Sequence, residues 1–316
     1  MENKPLPSTR YDESRIEAIV AFAEKNAKSE QKNWTPQSIF ARLDSAIIGN
    51  KRYKERLALC LSDFIGESKI RNHLLVSGPS GTGKTYLLEQ CLPDFGIPYL
   101  VIDAAGLVPA GIKGNTLGES LEGFFQSNMM ASKQCLIVLD EFDKLSDHAN
   151  GGDIQKSHSI QGELLTLIQG KQEGIIDTRN ALWVLAGAFA YTNEMKANPP
   201  KIKKTDLLKY GFKNELLGRI LQDTMTDIPT MKEIVQRVVN DKVIKVFHED
   251  FERQGVKVEF EDAAFAELAK AAQNPAFGMR AIPSLIGKLK GHIMFTVDKS
   301  KPFVIKKDLI EQMMTD

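Results

Sequence analysis

The chain has 316 residues, 42% of them hydrophobic, with 41 Lys and Arg set against 41 Asp and Glu. That balance excludes a general electrostatic grip on nucleic acid or on an anionic membrane, leaving only local patches such as Lys201, Lys203 and Lys204, read as solvated charge in a Pro-rich loop. No apolar run approaches a membrane span and the opening MENKPLPSTRYDESR lacks the regions of a signal peptide, while Cys60, Cys91 and Cys135 stand singly in apolar patterns, so a cytoplasmic protein with buried, reduced thiols is expected.

In chain order, residues 1–10 read as disordered, and Ile16, Ala18, Ile19, Val20, Phe22 and Ala23 predict a helix over 14–27, a candidate partner-binding segment. A second helical region opens at Trp34 and runs through Ile39, Phe40 and Leu43 to AIIGN, residues 46–50, and a helix follows over 51–64. His73–Ser77 is a short apolar run suited to a buried strand, and 86–92 has helical spacing.

Between them stands GPSGTGKT, residues 78–85, which fits G-x-x-x-x-G-K-[ST] in full and lies in the strand, loop, helix order that a phosphate cradle needs. Gly78, Gly81 and Gly83 permit the positive φ angles and close approach that turn successive N–H groups toward phosphate oxygens. Lys84 would place its ammonium on the β and γ phosphates of ATP, and the Thr85 hydroxyl would ligate Mg²⁺ at a helix N-terminus that favours anions. The nucleotide-binding run is thus Pro79, Ser80, Gly81, Thr82, Gly83, Lys84, Thr85 and Tyr86. The bland alternative is a Gly-rich turn with an incidental lysine.

Further apolar runs at 99–103, 136–140 and 181–185 alternate with helical segments, which predicts an α/β fold with a mostly parallel sheet. The run ending at Leu139 carries Asp140 and Glu141 at its tip, where ligands sit in open α/β sheets. Asp140 can hold the hydration shell of Mg²⁺ and Glu141 can polarise water for attack on the γ phosphate; without the phosphate loop, an acidic turn would be the simpler reading. Around Pro229 the pattern changes to mainly helical, with short strand candidates at 256–260 and 303–305.

These motifs, in this order, resemble the AAA+ ATPases, and specifically the ClpX and HslU type of ring-forming protein unfoldase, from about Ile39 to the C-terminus. AIIGN looks like the segment lining the adenine site, which places Ile47, Ile48 and Gly49 there. LDEFDKLS (139–146) is similar to the acidic motif of ClpX, and WVLAGAF (183–189) to a strand ending in a Gly-Ala-Phe signature. DLLKYGFKNELLGRI (206–220) looks like the segment carrying an arginine finger, here Arg219, and VKVEFEDAAFAELAKAA with FGMRAIPSLI looks like the small domain, with the second nucleotide sensor on Arg280. Taken alone, either arginine can equally be a surface residue closing a helix.

The resemblance implies an N-terminal extension over 1–35, a large P-loop ATPase domain over 36–228 and a smaller helical lid over 229–316. It implies ATP and Mg²⁺ as cofactors, a homo-hexameric ring and a protein substrate. Departures narrow this. Where the unfoldases carry GYVG in a pore loop, this chain has GIKG with Ile112 and Lys113, which predicts a restricted substrate. A zinc module and an Ile-Gly-Phe docking loop are not found, so ClpP docking is not expected, and the loop at 174–180 is short for a basic substrate-entry loop. Residues 146–159 read as a second pore loop, with His148 and His158 as loop histidines lacking a metal-ligand partner set. Two other readings stand beside the remodeller: a nucleotide-switched adaptor or scaffold acting through the N-terminal helix, favoured by the missing aromatic, and a DNA remodeller or loader, against which the neutral charge weighs.

Overall fold

The computed structural model describes residues 34–66, 68, 72–128, 130–147, 154–192, 195, 202–274, 277–296 and 302–315. The helix expected over 14–27, Lys201 and His148 lie outside them. Among the described residues two helices come first, α1 (Pro36–Ala46) and α2 (Lys51–Ile65), which pack on one another; Ile39 and Leu43 of the first and Tyr53, Leu57 and Leu61 of the second are wholly buried.

The central sheet is built from β1 (Leu74–Ser77), β2 (Tyr99–Asp103), β3 (Cys135–Asp140), β6 (Ala181–Gly187) and β7 (Gln222–Met225), in the order β2-β3-β6-β1-β7 with every pairing parallel. Parallel strands are covered on both faces, which is why β1 and β6 are buried along their whole length and read as unbroken apolar runs. The edge strand β7, Gln-Asp-Thr-Met, is only half buried. Nothing in its composition marks it as a strand; hydrogen bonding to β1 makes it one.

Helices α3 (Lys84–Cys91), α4 (Leu117–Ser127) and α5 (Ile154–Ile168) complete the layers of this body. Between α5 and β6 a small antiparallel hairpin, β4 (Gln172–Glu173) and β5 (Ile176–Asp177), occupies the place read as a shortened loop. The stretch 204–219 forms two short helices, α6 (Lys204–Lys209) and α7 (Asn214–Arg219), separated where Gly211 takes a φ of 87° and Phe212 turns into the core. Lys204 therefore opens a helix and donates to the Ile220 carbonyl, so the loop reading of that basic cluster does not hold there. All three cysteines are free and buried, and burial pushes the Cys60 and Cys135 thiols up to about 12.

One apolar cluster gathers under the sheet, with Trp183, Phe142, Phe189 and Phe212 among its largest members. A second, around Phe247, Phe251, Leu268 and Leu289, is formed by α8 (Met231–Val239), α9 (Lys242–Glu252), α10 (Asp262–Ala272), α11 (Ala281–Thr296) and α12 (Lys307–Thr315). Its two strands, β8 (Val258–Phe260) and β9 (Phe303–Ile305), pair in parallel because two helices separate them in the chain. Among the described residues, no helix is long and apolar enough to cross a membrane.

Candidate active site

The loop between β1 and α3 has the backbone that its glycines predict: Gly81 has φ 74° and Gly83 φ 96°. At Gly81 a side chain is barred twice over, since a Cβ would also lie 2.9 Å from the Phe277 carbonyl oxygen and 3.0 Å from the Gly278 Cα, backbone of the segment leading into α11. Gly83 takes the N-cap position of α3 and supplies no side-chain cap, so the N–H groups of the first turn are left for an anion. The Tyr53 hydroxyl steadies that turn by donating to the Lys84 carbonyl at 2.8 Å.

Lys84 Nζ donates to the Gly78 and Pro79 carbonyls at 2.7 and 2.9 Å, so its ammonium is folded back over the loop that surrounds a phosphate. Burial pulls its pKa down to about 8; Asp140, Asp143 and Glu141 act against this, and Arg280 adds to it. Arg280, exposed at the start of α11, thus reaches this site electrostatically. Arg219 is not among the charges acting on Lys84; it is exposed at the end of α7 with no side-chain partner among the described residues.

Thr85 Oγ1 donates to Asp140 Oδ2 at 2.6 Å, which brings together a hydroxyl and a carboxylate, the hard oxygen donors that Mg²⁺ takes. Asp140 Oδ1 accepts the Glu141 N–H at 2.9 Å and so holds the turn in which exposed Glu141 stands at φ 51°. A non-glycine residue in the left-handed region costs on the order of 1–2 kcal/mol, and here that turn carries the β3 acid out past the strand tip. The buried Asp143 was not singled out from the sequence; its Oδ1 accepts from Ala188 N at 3.1 Å, and a Cβ on Gly187 would lie 2.7 Å from that same oxygen. The glycine after Ala186 is therefore a packing requirement at the end of β6.

Ile47, Ile48 and Gly49 are gripped from two sides. Lys54, wholly buried, donates to Asp44 at 2.7 Å and to the Ile47 carbonyl; Arg237 of α8 donates to the Ile48 carbonyl through Nε at 3.0 Å. The Ile47 side chain closes on Gly83, where a Cβ would come within 2.3 Å of its Cδ1. A cavity of about 260 Å³ lies between Pro79, Gly81 and Thr82 of the phosphate loop and Ile234, Gly278 and Met279 of the second cluster. Ser80 also lines it and is exposed, as is Tyr86 in the first turn of α3.

The Gly111–Gly114 turn stands apart. Val108 N donates to Asn115 O at 3.0 Å and Ile112 N to Pro109 O at 3.1 Å, which pins the base and presents Ile112, 57% exposed, next to exposed Lys113. Of the segment read as a second loop, residues 154–159 are the first turns of α5, so His158 is a helix residue rather than a loop histidine, and its Nε2 lies 3.3 Å from Asp147 Oδ2.

Residues 74–208 match the family described as ATPase family associated with various cellular activities (AAA). The chain is 25% identical to the ATP-dependent Clp protease ATP-binding subunit ClpX of Treponema denticola, over 87% of this chain and 81% of that protein. It is 23% identical to the ClpX subunit of Azotobacter vinelandii, covering 86% and 76%, and 24% identical to ClpX 2 of Wolinella succinogenes, covering 83% and 77%. The AAA match covers the phosphate loop and four of the five strands of the central sheet, and similarity to ClpX subunits continues over most of the chain, so residues 74–208 form an AAA ATPase domain that hydrolyses ATP within a ClpX-like chain.

Proposed function

We propose that rings of this chain, hexameric by analogy with the ClpX type, hydrolyse ATP at sites shared between neighbours and use the motion of a lid, residues 229–316, against the body, residues 36–228, to move a restricted set of protein substrates past the Gly111–Gly114 turn. What carries this reading is the division of the arginines: Arg280 acts on Lys84 within its own chain, whereas Arg219 is exposed, unpartnered among the described residues and absent from the charges around Lys84. Charge developing on a γ phosphate is best met by a planar, permanently charged guanidinium, so a neighbour's Arg219 completes the site.

In this reading Lys84 exchanges the Gly78 and Pro79 carbonyls for the β and γ phosphates, with the loop N–H groups from 80 to 86 around them. Thr85 and Asp140 hold Mg²⁺, which neutralises phosphate charge when bound. Glu141 takes the proton of the attacking water, and Ile47, Ile48 and Gly49 border the adenine. Ile112 offers a branched aliphatic surface without an aromatic face, a narrower grip on polypeptide, and Lys113 favours an acidic stretch.

Mixed rings test the proposal. Glu141→Gln and Arg219→Ala should each abolish turnover while keeping ATP binding, and equimolar mixing should restore about a quarter of wild-type turnover, because a site is whole when an Arg219→Ala protomer meets a Glu141→Gln neighbour. No restoration sinks the shared site. Glu141→Gln rings in ATP should also retain polypeptide; retention of one stoichiometric partner through residues 14–27 would favour the scaffold instead.

A further inference from the structure

Three buried side chains tie the phosphate loop to the linker that leads into the second cluster. Asn50, 1% exposed, sits at φ 56° before α2 and faces both ways: its Nδ2 donates to the Thr82 carbonyl at 2.7 Å, and its Oδ1 accepts from Asp227 N at 2.9 Å. Thr82 Oγ1 donates to Pro79 O at 2.8 Å and lies 2.8 Å from Thr226 Oγ1. A hydroxyl has one proton, so with that of Thr82 spent on Pro79 it is Thr226 that donates to Thr82. Thr226 N in turn donates to Ser77 O at 2.8 Å, the last residue of β1. The Thr226 side chain also fills the space beside Gly78, where a Cβ would come within 1.8 Å of Thr226 Oγ1.

The loop backbone that wraps a phosphate and the first residues of the 226–230 linker are therefore joined by short, water-excluded hydrogen bonds at both Thr82 atoms that face them. Buried networks of this kind are costly to leave half made, so a shift of the loop at Thr82 moves the linker with it instead of breaking the bonds. The linker ends at Thr230, whose capping box with Glu233 fixes it rigidly to α8, and α8 delivers Ile234 and Val238 into the second cluster.

We infer that Asn50 and the Thr82–Thr226 hydroxyl pair are positioning residues that convert phosphate-loop occupancy into a set position of the second cluster. Neither Asn50 nor Thr226 touches the reacting atoms; they act through Thr82 and Asp227. The inference rests on the lid reading above, and its test separates the two.

The experiment places donor and acceptor dyes on cysteines introduced at exposed Lys133 and Glu249, the native thiols being buried, and follows energy transfer on adding ATP to the full chain. Thr226→Val keeps shape and removes the hydroxyl; Asn50→Gly keeps the left-handed backbone and removes both side-chain bonds. Thr226→Ser restores the hydroxyl. ATP affinity, measured in a Glu141→Gln background, should stay within about threefold of the parent, whereas the energy-transfer change should be lost and turnover should fall about tenfold in Thr226→Val and Asn50→Gly and recover in Thr226→Ser. A Thr226→Val or Asn50→Gly protein that moves and turns over like the parent overturns the inference, as does one that loses affinity and turnover in equal proportion. An unsubstituted chain whose energy transfer ignores ATP overturns the lid reading itself.

Discussion

Two glycine-bounded turns of this chain each deliver the backbone into a helix, and they are built for opposite ends. The phosphate loop enters α3 through Gly83, which brings no side-chain cap, so the helix N-terminus keeps its donors. The Gly111–Gly114 turn enters α4 through Thr116, whose Oγ1 accepts from Glu119 N at 3.1 Å while Glu119 Oε2 accepts from Thr116 N at 3.0 Å. Glu163 takes the Gly118 N–H at 3.0 Å as well. The first helix start is left open to an anion; the second is closed off and serves as a rigid base for an exposed turn. One residue at the N-cap decides between the two.

The sharpest way to break this comparison is to put a methyl group on each turn. Gly81→Ala must relieve a left-handed φ and a contact with the backbone of Phe277 and Gly278, and should weaken ATP binding on the order of a hundredfold. Gly111→Ala, also at positive φ but with nothing within 4 Å of the added carbon, should cost about 1 kcal/mol of stability and leave ATP affinity unchanged. Titration with ATP together with a denaturant midpoint for each variant decides it; equal loss of affinity in both would mean that the turns are not functionally distinct.

The same contrast explains what was legible in the sequence. The phosphate loop, the Asp140–Glu141 tip and the buried strands could be read because local chemistry dictates them: positive φ needs glycine, and a two-face-buried strand needs an unbroken apolar run. The β7 strand was not legible, since Gln222–Met225 has no strand pattern and is ordered by its neighbour β1. Nor were the Asn50–Thr82–Thr226 bonds, which join residues up to 144 positions apart. The Thr116–Glu119 capping box was there to be seen as T-x-x-E before an apolar run, and so was a hint about Asn50, a residue type that tolerates left-handed backbone directly before a helix. The break at Gly211 was obscured by the amphipathic pattern running across it.

Charge gives the second prediction. Lys84, half-buried at the open start of α3 and partly desolvated there, titrates at about 8, below the usual lysine range, and bound phosphate should raise it again. ATP binding should therefore take up a proton between about pH 8 and 10, and affinity should fall about tenfold from pH 7 to pH 9. For the nucleotide-free chain the sign is the reverse of a paired lysine: the folded pKa lies below the unfolded one, so the unfolded chain holds more protons across that window. The cost of burying the charged Lys84 is full below about pH 8 and is relieved as pH rises through it. Calorimetry at pH 8.5 in buffers of different ionisation enthalpy reads the proton uptake directly, and its persistence in Lys84→Arg, whose side chain does not titrate there, would place the proton elsewhere.

At the closed junction the expected effect is smaller and touches stability alone. Thr116→Ala removes the side-chain acceptor for Glu119 N and should cost about 1 kcal/mol, seen as a lower denaturation midpoint with ATP affinity unchanged. The Glu119 carboxyl is held below its usual range by its bonds to the Thr116 backbone and hydroxyl, so its share of the cap is present above the ordinary carboxylate pKa and is lost as pH falls through the depressed one. The gap between parent and Thr116→Ala should accordingly narrow in acid. If the gap holds its size there, the stabilisation comes from Thr116 packing, and the closed junction is held by shape instead of by the reciprocal bonds that distinguish it from Gly83.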